Sequence, residues 1–263
     1  MSKYYNSKRT SNLYKPGMKF PLSRSKIDLY VDCPRCFYLD RKLGVKRPPF
    51  YPYSLNSAVD RLLKKEFDVK RVNGTKHPLM EKYGIDAIPA QDENMEDYRN
   101  NFKGIRFHHK KTNFVIFGAI DDLWKNSKGE YIIVDYKSTS KSGKITKLDQ
   151  DWHDSYKRQM EVYQWLLRQN GYKVSDIGYF VYCNGITDKK AFDGRLEFEV
   201  TLIDYRGNTT WIEPQLKEIY NCLNSQEIPE SSKDCDYCAY RNSAKEVMGE
   251  GKKNIQKQSK LSF

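Results

Sequence analysis

The sequence predicts an α/β fold of the α+β type, in which a mixed central β-sheet is flanked by helices. Apolar residues recur at helical spacing in four segments, and three strand-like runs follow one another between the second and third of these. Two more strand-like runs follow the third helical segment. An order of helix, three antiparallel strands, helix and strand is typical of a sheet with helices packed on it. A chain of 263 residues can bury the core that this fold needs.

Four helices are predicted, with limits set by capping residues, proline and glycine. Ser25 is a candidate cap for the first helix, and Pro34 predicts a break or a new first turn inside that segment. Gly171 ends the third helix. The predicted helices cover residues 26–43, 56–69, 151–169 and 210–223.

Five strands are predicted, and the second and third of them form a hairpin. Residues 125–129, with the sequence Lys-Asn-Ser-Lys-Gly, are typical of the turn. With the hairpin centred near Lys128, Asp121 lies opposite Asp135, whereas a shift of one residue would pair Asp122 with Asp135. The predicted strands cover residues 105–110, 114–124, 130–137, 177–182 and 196–203.

The folded part is predicted to be one domain, residues 25–241, between two polar tails. Residues 1–24 are basic and without periodicity, which indicates a flexible N-terminal arm. Residues 242–263 are predicted to form a flexible Lys-rich tail. The sequence has no run of about 18 apolar residues and no apolar N-terminal segment. We therefore expect a soluble, cytoplasmic protein that does not contact a membrane.

The charge of the chain indicates a polyanionic partner. The formal net charge is +12 at pH 7, with lysine spread along the whole length. A basic surface of this kind favours nucleic acid, so DNA is the expected partner. Aromatic residues make up 14% of the chain and include 20 tyrosines, which could stack on bases but also serve as core residues.

A pair of acids and a lysine form the candidate catalytic group. Asp135 and Lys137 are two positions apart in a predicted strand, so their side chains project to the same face. Alone they could be an ion pair on a surface strand. Asp121 across the hairpin would repel Asp135, and a divalent cation between the two carboxylates would remove this repulsion. Lys137 could then stabilise negative charge on a phosphate, which points to metal-assisted phosphodiester hydrolysis.

Four cysteines predict a second metal site with a structural role. Cys33 and Cys36 form one Cys-x-x-Cys pair, and Cys235 and Cys238 form another near the other end of the chain. Two such pairs supply the four thiolates of a structural Zn²⁺ site or a [4Fe–4S] cluster. An intracellular setting argues against a disulfide framework for the six cysteines of the chain.

These motifs together resemble the PD-(D/E)XK nuclease superfamily, and within it the RecB-type nuclease domains and CRISPR-associated adaptation exonucleases. Asp121 and the strand Asp135-Tyr136-Lys137 match the central motif, and Gln159 and Tyr163 match the Gln-x-x-x-Tyr motif of that branch. The resemblance implies a restriction-endonuclease-like αβββαβ core. It implies an exodeoxyribonuclease that uses Mg²⁺ or Mn²⁺, with a role in DNA repair or DNA processing and a protein partner in such a complex.

The resemblance also implies roles for single residues. Asp121, Asp135 and the backbone carbonyl of Tyr136 would bind the metal, and Lys137 would position the attacking water. Gln159 and Tyr163 would hold the active site. Asp60 stands where the RecB branch usually has a metal-binding histidine, so it is the expected further ligand, with Glu66 as a fallback. The other histidines considered for this place, which are expected at the surface or in the substrate groove instead, are His108, His109 and His153. The basic residues expected to hold the phosphate backbone include Lys141, Lys144, Lys147, Lys157 and Arg158.

The cysteine pattern departs from the family as well. Many RecB-type nucleases bind an iron–sulfur cluster through one N-terminal and three C-terminal cysteines, whereas this chain has two of each. A [4Fe–4S] cluster is the expectation, and structural Zn²⁺ is the alternative. Because the usual histidine is replaced, a non-catalytic DNA-binding or scaffold protein that retains the nuclease fold is the alternative function.

Overall fold

The computed structural model describes residues 11–49 and 53–249. The helices are α1 Arg24–Asp32, α2 Pro34–Arg41, α3 Ser54–Asn73, α4 Pro78–Lys82, α5 Met95–Arg99, α6 Asp154–Gln169, α7 Ile212–Asn224 and α8 Asp236–Met248. The strands are β1 Phe20–Ser23, β2 Ala87–Pro89, β3 Ile105–His109, β4 Phe114–Gly118, β5 Asp122–Asn126, β6 Tyr131–Thr139, β7 Ile177–Gly185 and β8 Phe198–Arg206. No helix in these ranges has the length and apolar character needed to cross a membrane.

The chain divides into two compact units. Of the described residues, the first unit comprises 11–18, 29–49 and 218–249, and the second comprises 19–28 and 53–217. The predicted single domain of residues 25–241 therefore contains parts of both units.

The larger sheet of the second unit is mixed, as predicted. Its strand order is β2-β5-β6-β7-β8, and β6 and β7 are its parallel pair while the other neighbours are antiparallel. A parallel pair needs a crossover, and α6 lies in the connection between β6 and β7. The sheet and α3 share a buried core in which Phe67 stacks against Trp124, with 5.5 Å between ring centroids.

A smaller sheet of three strands shows that one strand prediction was wrong. Residues 114–124 were expected to form one strand, but β4 ends at Gly118 and β5 begins at Asp122. Strand β4 pairs with β3 and β1, whereas β5 belongs to the larger sheet. At Gly118 an added Cβ would lie 2.5 Å from Cε1 of Tyr163, so only glycine allows this close approach. The chain changes from one sheet to the other just after this glycine.

The first unit contains the end of α1, the helices α2 and α8, and part of α7. Pro34 is the first residue of α2, which confirms the predicted break: proline suits a first helical turn because it lacks the N–H that would remain unpaired there. Cys33 and Cys235 precede α2 and α8 as their N-cap residues. Each cysteine pair therefore occupies the start of a helix.

The predicted tails contain regular structure near their inner ends. Strand β1 lies within the predicted arm of residues 1–24 and pairs in parallel with β4. Helix α8 continues to Met248, seven residues into the predicted tail of residues 242–263. Strand β1 and the end of helix α8 therefore lie outside residues 25–241. Residues 1–10 and 250–263 of these two segments lie outside the described residues.

Candidate active site

The hairpin of β5 and β6 has the register that the sequence predicts. Asp122 pairs with Val134 and Leu123 pairs with Ile133. Asp121 directly precedes β5, on the side of Asp135, and its Oδ2 accepts a hydrogen bond of 3.1 Å from the backbone N–H of Tyr136. The turn at residues 127–129 thus brings Asp121 to the strand that carries Asp135 and Lys137.

The neighbouring acid, Asp122, has a different environment from Asp121. Its carboxylate is fully buried and forms ion pairs with Arg71 and Arg99. The hydroxyl of Tyr136 donates a 2.6 Å hydrogen bond to Asp122 Oδ2. These contacts use the oxygens of Asp122 inside the fold, whereas the Asp121 side chain is 25% exposed. The register that would have placed Asp122 opposite Asp135 does not occur.

Asp135 and Lys137 project from the same face of β6 and contact each other. Nζ of Lys137 donates to Oδ2 of Asp135 and lies 3.4 Å from Oε1 of Gln159. Burial raises the pKa of Asp135 to about 6, since the attraction of Lys137 only partly offsets the loss of water. Its other oxygen, Oδ1, is buried and has no hydrogen-bond partner among the described residues. A buried carboxylate oxygen without a partner is costly unless a cation or a donor binds there.

Helix α6 supplies Gln159 and Tyr163, one turn apart. Nε2 of Gln159 lies 3.3 Å from the Tyr163 hydroxyl, while its Oε1 faces Lys137. Tyr163 is buried, and burial raises the pKa of its phenol to about 12. The phenol therefore remains protonated at neutral pH. The two side chains form a chain of polar contacts that ends at the ammonium of Lys137.

Asp60 on helix α3 is connected to Asp121 by Lys64, a residue that the sequence analysis did not single out. Nζ of Lys64 lies 2.9 Å from a carboxylate oxygen of Asp60 and 3.2 Å from Oδ1 of Asp121. An Asp and a Lys four positions apart on a helix read as an ordinary surface pair, so only the fold shows that Asp121 completes the contact. Glu66, the fallback ligand, points elsewhere and contacts Nε2 of His77 at 2.8 Å.

The carboxylates of Asp60, Asp121 and Asp135 suit a hard divalent cation. Oxygen donors are the ligands that Mg²⁺ and Mn²⁺ prefer, and one or two carboxylates with waters often suffice. The unpartnered Oδ1 of Asp135 is a free donor of this kind. Among the described residues, however, the four cysteines are the only group of three or more His, Cys, Asp or Glu side chains whose ligand atoms all lie within 4.8 Å of one another. The oxygen chemistry of the three carboxylates fits a divalent cation. Because the ammonium of Lys64 lies between Asp60 and Asp121, however, the carboxylate oxygens do not surround a single position where an ion would bind.

A cleft of about 400 Å³ opens beside these residues, between α3 and the end of β6. Asp60, Lys137 and the ring of Tyr156 line it, and Nζ of Lys137 lies 4.5 Å from the centroid of that ring. Tyr53, whose side chain is largely exposed, lines the cleft as well. The tyrosine rings of this cleft offer surfaces on which aromatic groups of an extended polymer could stack.

The basic residues expected to hold a phosphate backbone are partly neutralised by nearby acids. Lys144 pairs with Glu199, and Arg158 pairs with Asp28. Lys141 instead lies over the ring of Trp152, 4.3 Å from its centroid. The remaining members of this set are Lys147, which pairs with Asp149, and Lys157, which pairs with Asp154. Exposed ion pairs contribute little to stability.

The three histidines singled out as other candidates do not enter the site. His108 contacts Oδ1 of Asn113 at 2.7 Å. His109, expected at the surface or in a groove, is buried and contacts Thr112 and Glu213. His153 is buried beside Trp152.

The four cysteines form a compact cluster in the first unit, as predicted. Sγ of Cys36 lies 3.6 Å from that of Cys235 and 3.7 Å from that of Cys238, and Cys33 lies 3.9 Å from Cys238. All four are buried, and Nη2 of Arg47 lies 3.3 Å from Sγ of Cys235. The cluster joins the segment around α2 to the segment around α8.

The sequence of the chain matches one protein family over most of its length. The family model of the PD-(D/E)XK nuclease superfamily matches residues 54–243, a range that includes the hairpin, Gln159 and Tyr163. The chain therefore belongs to the PD-(D/E)XK nuclease superfamily. A solved structure titled "Crystal structure of SSO0001" aligns with 83% of this chain and 82% of its own, at 14% identity and a TM-score of 0.39. No curated protein matches the chain.

Proposed function

We propose that this protein is a divalent-metal-dependent deoxyribonuclease that hydrolyses phosphodiester bonds. The observation that supports the proposal is the register of the β5–β6 hairpin, which brings Asp121 to the strand that carries Asp135 and Lys137, where its Oδ2 accepts a hydrogen bond from the N–H of Tyr136. Membership of a nuclease superfamily supports the reaction type. The basic composition and the aromatic rings along the cleft support DNA as the substrate.

The family resemblance and the positions of the side chains together suggest a role for each residue of the site. Asp121, Asp135 and the carbonyl of Tyr136 would hold a Mg²⁺ or Mn²⁺ ion, with Asp60 as a further ligand. When bound, such an ion supplies a Lewis acid that polarises the phosphate and lowers the pKa of a water. Lys137 orients the attacking water and stabilises the negative charge that develops on the phosphate oxygens.

Gln159 and Tyr163 act on Lys137 rather than on the substrate. The 3.4 Å contact from Gln159 Oε1 limits the positions of the Lys137 ammonium. The Tyr163 hydroxyl in turn contacts Nε2 of Gln159 and restrains its side chain. A lysine has several rotatable bonds, so this restraint keeps its ammonium where the phosphate arrives. We propose both as positioning residues.

The family branch suggests a narrower activity. We propose a RecB-like exonuclease that works in DNA repair or DNA processing together with a protein partner. The Gln159 and Tyr163 pair, which the RecB branch shares, supports this choice. A non-catalytic DNA-binding or scaffold protein is the second candidate, because Asp60 stands in place of the usual histidine and contacts Lys64.

A cleavage assay separates the two candidates. We expect end-labelled single- or double-stranded DNA to be cut when Mn²⁺ or Mg²⁺ is added, and to remain intact when a chelator replaces the metal. The products should be resolved on a denaturing gel over a time course. DNA that is bound but never cut, with either metal, would support the scaffold function instead.

We propose that the cysteine cluster holds a structural metal. The family resemblance favours a [4Fe–4S] cluster, while the sulfur separations of 3.6–3.9 Å favour the alternative, Zn²⁺. Four ligands at about 2.3 Å from a tetrahedral zinc lie about 3.8 Å apart, and a cluster of four irons requires more room. An absorption spectrum recorded without oxygen, with metal analysis, separates the two groups.

Cys33→Ser is expected to remove this metal and to destabilise the protein. Because the site connects segments about 200 residues apart in sequence, its loss should lower the melting temperature by about 10 °C. The measurement is metal content per chain together with a thermal melt. Cys222→Ser is the matched control, since Cys222 is only partly buried and lies outside the cluster. Equal metal content in both variants would contradict the proposed site.

A further inference from the structure

The ammonium of Lys64 lies where a cation would bridge two of the site carboxylates. It is 2.9 Å from Asp60 and 3.2 Å from Asp121, and its side chain is only 22% exposed. Asp60 and Lys64 are on successive turns of α3, while Asp121 comes from the start of the hairpin. One positive group therefore links the helix to the hairpin at the centre of the site.

The space that Lys64 occupies overlaps with that of the proposed metal. Mg²⁺ binds carboxylate oxygens at about 2.1 Å. This distance is shorter than the 2.9 Å and 3.2 Å that separate Nζ of Lys64 from the oxygens of Asp60 and Asp121. An ion bound to both Asp60 and Asp121 would thus collide with the ammonium and repel it. The two cations exclude each other, and the carboxylates can close around a metal only after Nζ has left.

The charges of the site explain why a resident cation is needed. The site has three carboxylates, those of Asp60, Asp121 and Asp135, and the one that pairs with Lys137 is Asp135. Without Lys64, the carboxylates of Asp60 and Asp121 would repel each other at close range. A lysine has a long flexible stem, so it can hold this position and also leave it without a change in the backbone.

We propose that Lys64 is a displaceable internal cation that competes with the divalent metal for Asp60 and Asp121. The inference rests on the proposed function, because it takes these carboxylates as metal ligands. It adds that the metal-free site is held together by Lys64 and that the metal must overcome this contact to bind. Lys64 thereby weakens metal affinity and sets the concentration at which the site fills.

The first test compares the affinity of two variants for Mn²⁺, measured by calorimetry or by electron paramagnetic resonance without DNA. Lys64→Gln is expected to bind Mn²⁺ about tenfold more tightly than the wild type, the change that follows from losing two partly exposed ion pairs. Lys65→Gln is the matched control: it removes the same charge from the next position of α3, which is exposed. Its affinity should equal that of the wild type.

Unchanged or weaker Mn²⁺ binding by Lys64→Gln would overturn the proposal. If the wild type and both variants bind no Mn²⁺, the proposed function itself fails, which is a distinguishable result.

A second measurement needs no substitution. In the wild type, acetylation of Lys64 by an amine-reactive reagent, followed by peptide mass spectrometry, should rise when Mn²⁺ replaces the chelator. The modification of Lys65 should stay constant. Equal modification of Lys64 in both conditions would also overturn the proposal.

Discussion

Lys137→Met is expected to lower the rate of DNA cleavage by about 10²–10³-fold, the usual effect of removing one group that stabilises transition-state charge. Methionine keeps most of the length and apolar contacts of the lysine stem but has no ammonium. DNA binding should persist, because the rest of the basic surface is unchanged. The measurement is the single-turnover cleavage rate in saturating Mn²⁺, with DNA affinity measured separately by fluorescence anisotropy.

Two further variants make this expectation specific to the site. Asp135→Asn, which removes the buried negative charge and the ion pair with Lys137, should lower the rate of cleavage to a similar extent. Lys128→Met changes an exposed lysine at the turn of the same hairpin, at the end away from the site, and should cut DNA at the wild-type rate. Full activity in Lys137→Met, or equal loss in Lys128→Met, would contradict the assigned role.

Asp122→Ala is expected to lower the free energy of unfolding by about 3–5 kcal/mol, the typical cost of breaking a buried ion pair. The carboxylate of Asp122 is fully buried, and it faces Arg71 and Arg99, both of which are about 10% exposed or less. Its removal leaves the two guanidinium groups with Asp68, which pairs with both, and with the exposed Glu96, 4.0 Å from Arg99. Urea denaturation followed by fluorescence gives the free energy directly.

Asp121→Ala is the matched control for this prediction. Asp121 is the preceding residue and also an acid, but it is 25% exposed and pairs with Lys64. Its replacement should change the free energy of unfolding by less than about 1 kcal/mol, since an exposed ion pair contributes little. It should nevertheless abolish cleavage. Similar destabilisation by both variants would contradict the assignment of Asp122 to the stability of the fold and of Asp121 to the active site.

Much of the site could be predicted from the sequence because short-range patterns determine it. The turn around Lys128 fixes the register of the hairpin, and the register fixes the position of Asp121. Gln159 and Tyr163 were predicted from the Gln-x-x-x-Tyr motif of the RecB branch, with helical spacing placing both side chains on one face of α6. The separation of α1 from α2 follows from the proline at position 34. In each case the residues that define the geometry are close in sequence to those they position.

The break in the second predicted strand was missed because the apolar pattern continues through it. Gly118 was the available signal, since an isolated glycine in a strand often marks a bend or a close backbone approach. The reason for the glycine is Tyr163, which packs against it from α6 some 45 residues later. A contact of this kind cannot be inferred from the local pattern.

Lys64 and the buried partners of Asp122 were missed for a related reason. Charged residues on a helix usually face water, so Lys64 and Arg71 in α3 had no feature that set them apart. Their partners Asp121 and Asp122 lie in another element, about 50 residues away. The alternation of the strand does separate Asp121 from Asp122 by face, but it does not show which face is buried.

Cleavage in ¹⁸O-enriched water is the measurement that tests the central proposal most directly. Labelled DNA and Mn²⁺ are mixed with an excess of the full-length protein, and the terminal phosphate of the product is examined by mass spectrometry. If Asp121, Asp135 and Lys137 form a hydrolytic site, each cut should add one ¹⁸O atom to that phosphate, and the product should be absent with a chelator or with Lys137→Met. Absence of product with every divalent metal, or a product phosphate without ¹⁸O, would contradict a metal-dependent hydrolase.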